Sequence, residues 1–140
     1  MKTRFFIAMV LATALAALTG CETMRDFNKE RYERNNETAR AWLSDQIFPA
    51  EIDVSGTWKS AGWGESFFAQ TGRDVRGHLG DYPVEGVVSG KKVYLLANKN
   101  GWHDYSVILE TPAPNILLGY SSRAIPYQTG SRKDLRLDRK

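Results

Sequence analysis

Three patterns of apolar and polar positions follow one another along the chain. Behind Lys2 and Arg4, residues Phe5 to Leu18 form an apolar stretch rich in alanine and leucine. A bilayer-spanning helix needs about 20 such residues, so this shorter run reads as a cleavable secretory signal covering residues 1–20. From Glu22 to Gln46 there is neither proline nor glycine, and Lys29, Arg31, Glu33 and Arg34 alternate with long side chains that favour helix. Thr23 and Asp26 resemble a capping box, Glu30 and Arg34 form a pair four apart, and Asn35-Asn36 predicts a break between two helices. Residues 21–48 therefore read as a helical stalk, solvated from Glu22 to Asn36, with Trp42 and Leu43 packing on the domain after it.

After Ile47-Phe48-Pro49 the period changes from helical to alternating. The strands predicted are Asp53–Ser60, Gly64–Gln70, Asp74–Leu79, Pro83–Ser89, Lys91–Ala97, Trp102–Glu110, Asn115–Ser122 and Lys133–Asp138. Glycines, or Pro112-Ala113-Pro114, separate most of them. Val75, Gly77 and Leu79 share one face while Arg76 and His78 share the other; Tyr105, Val107 and Leu109 oppose Asp104, Ser106 and Glu110. Sequential antiparallel strands with one dry face remove their open edges by closing. Residues 49–140 are thus expected to be mainly β, as a small up-and-down barrel of about eight strands; a two-sheet sandwich satisfies the same alternation.

Charge changes little once the signal is set aside. The 140 residues carry 19 Lys and Arg against 16 Asp and Glu. Without Lys2 and Arg4 the balance is 17 to 16, near neutrality, which gives no support for a nucleic-acid partner. A single cysteine excludes an internal disulfide and a Cys-based zinc site.

That cysteine has a distinctive setting. Leu18-Thr19-Gly20-Cys21 resembles the lipobox of bacterial lipoproteins, in which cleavage leaves the cysteine first and its thiol takes a diacylglyceryl group. The resemblance implies lipid attachment, palmitate included, at Cys21, and a protein tethered to a membrane without spanning it. Glu22 at the next position, rather than aspartate, points to the outer membrane, with the folded part in the periplasm.

A second resemblance lies in Ser55-Gly56-Thr57-Trp58, which is similar to the opening strand of the calycin barrels, the lipocalin-like and avidin-like proteins. It implies that Trp58 closes one end of the barrel and that a basic residue of the last strand packs across its ring. Arg136 is expected in that role, with Gly56 beside it. No residue set maps onto a family ligand site.

The search for chemistry returns few candidates. His78 and His103 fall on outward positions of different strands, no set of metal ligands is spaced to converge, and no nucleophile elbow or phosphate-binding glycine loop occurs. Neither enzymatic activity nor a cofactor is expected. Trp63, Tyr82, Trp102, Tyr105 and Tyr120 lie near strand ends and are candidates for an aromatic mouth. They would either meet a small apolar ligand or an envelope protein, or fill a narrow interior as in a structural or assembly accessory. An inhibitor of a periplasmic hydrolase is a narrower form of the binding reading. The cluster Arg132-Lys133, Arg136, Arg139 and Lys140 is a candidate contact for anionic lipid or peptidoglycan, but reads more readily as a solvated terminus partly neutralised by Asp134 and Asp138.

Overall fold

The computed structural model describes residues 26–140. The expected signal segment, Cys21 and the expected cap at Thr23 therefore lie outside the described residues. The chain divides into two compact units at Arg34 and Asn35.

A single helix, α1, covers residues 26–44 without interruption at Asn35-Asn36, contrary to the break expected there. Two asparagines cost only a few tenths of a kcal/mol each in helix propensity, and the Asn36 side chain is held by bonds to Gly101 and His103. In the first unit, Phe27 and Tyr32 are exposed, and the pairs Lys29–Glu33 and Glu30–Arg34 lie at 4.0 and 3.8 Å, the spacing of neighbours on one helix face.

The second unit is a closed, all-antiparallel barrel in sequence order. Its strands are β1 (Gly56–Ser60), β2 (Gly64–Thr71), β3 (Asp74–Leu79), β4 (Tyr82–Ser89), β5 (Lys92–Lys99), β6 (Trp102–Ala113), β7 (Ile116–Ser122) and β8 (Arg132–Arg139). The barrel, rather than the sandwich, is the solution adopted. Alternation places Trp58, Phe68, Val75, Leu79, Val88, Val93, Leu95, Val107, Leu109, Leu117 and Leu137 in the core, none more than 1% exposed. These side chains occupy the lumen, so the barrel is a packed core and not a pore.

One end is shut by the segment leading into β1. Glu51 N–H donates to Gly90 O and Gly90 N–H to Pro49 O, both at 2.9 Å. The Gln70 side chain accepts from Val54 N–H and donates to Ile52 O, again at 2.9 Å. Val54 is thereby pressed against the core, and its carbonyl accepts from Trp58 Nε1 at 2.9 Å.

Within the second unit, the latter half of α1 covers the outer wall of β5 and β6. Asn36 Nδ2 donates to Gly101 O and Asn36 Oδ1 accepts from His103 N–H; Trp42 meets Tyr94 edge-on with centroids 5.7 Å apart. Leu96 points outward on β5 yet is fully buried, as is Ala39 on the helix. A helix laid on this wall explains why β5 reads as a nearly continuous apolar run, Val93 to Ala97, rather than a clean alternation.

The same cover buries His103. Burial holds its imidazole below the usual value of about 6.5, with Glu85 at 3.4 Å pulling it up and Arg40 pushing it down. A base with a lowered folded-state pKa binds fewer protons folded than unfolded. Its contribution is complete above the unfolded-state value and declines as pH falls from there toward the folded-state value. The melting temperature is expected to drop more between about pH 7.5 and pH 5 in the wild type than in His103→Gln. Parallel pH profiles for the two proteins would refute the assignment.

Candidate functional site

At the shut end the expected ring and guanidinium pair exists, with a different arginine. The guanidinium of Arg139 lies 4.3 Å from the centre of the Trp58 ring and donates to Ser55 O. Arg136 instead points to solvent and pairs with Asp138 at 2.7 Å. The reason is strand parity: Leu135 and Leu137 face the core, so Arg139 faces it too and Arg136 cannot. Gly56, at φ +128°, belongs to this arrangement, since a Cβ there would stand 2.9 Å from Arg139 Nη1.

At the opposite end three of the expected aromatic residues converge. Trp63, Tyr82 and Tyr105 form a mutual edge-to-face cluster, with centroids 5.4 Å apart for Trp63–Tyr82, 5.1 Å for Trp63–Tyr105 and 5.5 Å for Tyr82–Tyr105. The other two do not join it. Tyr120 points outward from β7, where Arg132 stacks on its ring at 4.3 Å; Trp102 sits opposite Lys99 at the β5–β6 hairpin.

Beside the aromatic cluster, a cleft of about 680 Å3 opens between the β1–β2 turn and β8. Its inner wall carries Trp63, Tyr105, Ser121, Lys133 and Leu135, and its rim Ala61, Asp134 and Arg136. Arg123 also lines it, Nε donating to Tyr105 Oη at 3.0 Å. The Tyr105 hydroxyl shares in keeping that guanidinium charged. Lys133 lies on the inward parity of β8, opposite Ser121, and makes no ion pair among the described residues.

The cleft exists because the barrel is only partly zipped at its closing seam. β1 pairs with β8 at Trp58↔Arg139 and Lys59↔Asp138, then turns away at Ser60 into its hairpin with β2. β8 continues for six more residues toward its start at Arg132, all paired to β7 on the other side. Arg139 N–H bonds toward Asn115 beside β7, and Lys140 N–H toward Thr57 on β1. Backbone groups alternate sides along a strand, so the odd residues of β8 serve β7 and the even ones face β1. The N–H and C=O of Arg136 and Asp134 therefore aim into the cleft, past the point where the β1 ladder stops.

Sequence reasoning missed Ser121, Arg123 and the open seam, and placed Lys133 only in a basic terminal cluster. Lys133 shares the parity of Leu135 and Leu137, a signal that was legible; the early turn of β1 was not, because nothing in the pattern sets where two sequence-distant strands stop pairing. Comparison of the chain with known protein families, curated proteins and solved structures finds no match.

Proposed function

We propose that this chain is a lipid-anchored envelope protein, held to the outer membrane through Cys21, whose calycin-like periplasmic barrel is a binding module. The observation that carries the binding reading is the cleft: about 680 Å3, above the roughly 300 Å3 at which ligand sites begin, with aromatic and basic groups converging on it. The packed lumen leaves the small apolar ligand no room deep in the barrel, so binding belongs to the mouth and seam. The ring of Trp58 beneath Arg139 supports the calycin-like reading. A second reading, a structural accessory with a solid barrel, draws on the packed lumen alone.

The anchor and the site are tested together in intact cells. Radiolabelled palmitate is expected to enter the wild type and not Cys21→Ser; label in the variant would overturn the anchor. A photo-crosslinking side chain at Ala61, on the cleft rim, is expected to trap one defined envelope component, and the same group at Lys92, on the far wall, is not. Equal yields from both positions, or none from either, would overturn the binding module.

A further inference from the structure

The unpaired seam gives the binding module a definite occupant. Resting on that reading of the cleft, we propose that it takes an extended peptide segment of a partner protein, which adds as a strand to the free edge of β8 and places an acidic side chain inward against Lys133 and Arg123.

Three observations converge on this chemistry. The first is the backbone. Asp134 and Arg136 present two N–H and two C=O groups in the spacing of a β-ladder, on a strand held rigid from its other side by β7 over its length from Arg132 to Asp138. Such an edge is a template for one more strand, and main-chain bonds supply affinity whatever the partner's sequence. From Arg132 to Leu137 the edge is about 20 Å long, at roughly 3.3 Å per residue.

The second is the setting. An edge strand is commonly protected by charge, proline or a covering loop; β8 carries charged side chains but no proline, and the β1–β2 turn stands off, so the space between is the cleft itself, with Ala61 and Trp63 on its far side. An incoming strand running antiparallel to β8 would follow the track that β1 leaves at Ser60.

The third is charge. Side chains of an added strand alternate between the inside and the outside of the barrel. Those pointing inward meet Lys133, which has no carboxylate partner among the described residues, and Arg123, whose Nε alone is engaged by Tyr105. Those pointing outward meet Asp134 and the Arg136–Asp138 pair, one negative charge in sum, exposed to solvent. The inward position therefore selects an acid, and the outward one does not.

The test uses the full chain and four probes: a capped seven-residue peptide alternating Val and Glu, its Val and Lys counterpart, the acidic peptide N-methylated at alternate residues, and dodecyl phosphate. In the free protein the amides of Asp134 and Arg136 are expected to exchange rapidly with solvent, while those of Leu135 and Leu137 are protected. The acidic peptide is expected to protect Asp134 and Arg136, and to bind at least about tenfold more tightly than the basic or the N-methylated peptide. Arg136→Pro removes one seam-facing N–H without touching the β7 ladder and is expected to weaken the acidic peptide about tenfold, whereas Arg136→Ala does not. Equal binding of the acidic and N-methylated peptides, equal binding of the acidic and basic ones, or slow exchange at Asp134 and Arg136 in the free protein would overturn the strand-addition proposal. Binding of dodecyl phosphate alone would also overturn it while leaving a binding module for amphiphiles. Failure of all four probes together with a negative crosslink at Ala61 would overturn both.

Discussion

Trp58→Ala is expected to lower the unfolding free energy by about 3–5 kcal/mol, the range for removing a large aromatic ring from a core. The ring is 1% exposed, so nearly all of its surface is withdrawn from water on folding. Its loss would also strip two other groups of their partners. Val54 O would lose the Nε1–H that satisfies it beneath the barrel, and Arg139 would lose the face on which its guanidinium rests. Because Val54 and Arg139 tie the entry segment and the last strand to the same ring, the damage is expected to spread across the shut end. The total is a large part of the roughly 5–15 kcal/mol that keeps an ordinary domain folded. Trp58→Phe separates the contributions: it keeps an apolar ring but not the bond to Val54 O, and about 1–2 kcal/mol is expected. Urea unfolding followed by circular dichroism measures both. A loss well under 1 kcal/mol for Trp58→Ala would mean that the ring does not close the barrel.

The strands of this barrel were readable because each carries its own signal. Asp74–Leu79 is predicted and observed with the same ends, since Val75 and Leu79 alternate with Arg76 and His78 and a glycine turn follows at Gly80. β5 runs two residues further than its pattern and β6 three, because the bulges at Ala97/Asn98 and at Glu110/Ala113 break alternation without ending the pairing. The shut end was half legible. Gly56 and Trp58 are local signals, but the choice between Arg136 and Arg139 depends on parity counted from Leu135 and Leu137, and one residue of slip reverses it. Helix continuity through Asn35-Asn36 could not be read from propensity, because the Asn36 side chain is satisfied by Gly101 and His103, 65 and 67 residues away. The mouth shows the same limit. Trp63, Tyr82 and Tyr105 were candidates by position near strand ends, but so were Trp102 and Tyr120, and only barrel closure decides which rings meet. The seam is the extreme case: strand lengths of five and eight residues are local facts, and the space their mismatch leaves is a property of the closed barrel.

Gly77→Ala tests barrel closure from the opposite side, by adding atoms instead of removing them. Gly77 lies inside β3 at φ +148°, a conformation that L side chains rarely adopt, and a Cβ there would fall 1.9 Å from Phe67 O and 3.1 Å from Phe68 Cα on β2. The obstacle is backbone rather than a side-chain tip, so no rotamer change can relieve it. β2 and β3 would have to separate where they are paired as Phe68↔Gly77, next to the fully buried Phe68. Backbone strain of about 1–3 kcal/mol and overpacking of similar size both apply, and a total near 3–5 kcal/mol is expected. Gly62→Ala is the matched control. It adds the same methyl group in the β1–β2 turn, where nothing lies within 4 Å and φ is not positive, and its effect is expected within about 0.5 kcal/mol of zero. Unfolding curves for the pair, recorded side by side, measure the difference. If Gly77→Ala were tolerated as well as Gly62→Ala, the close approach of β2 and β3 at the waist of the barrel would be wrong.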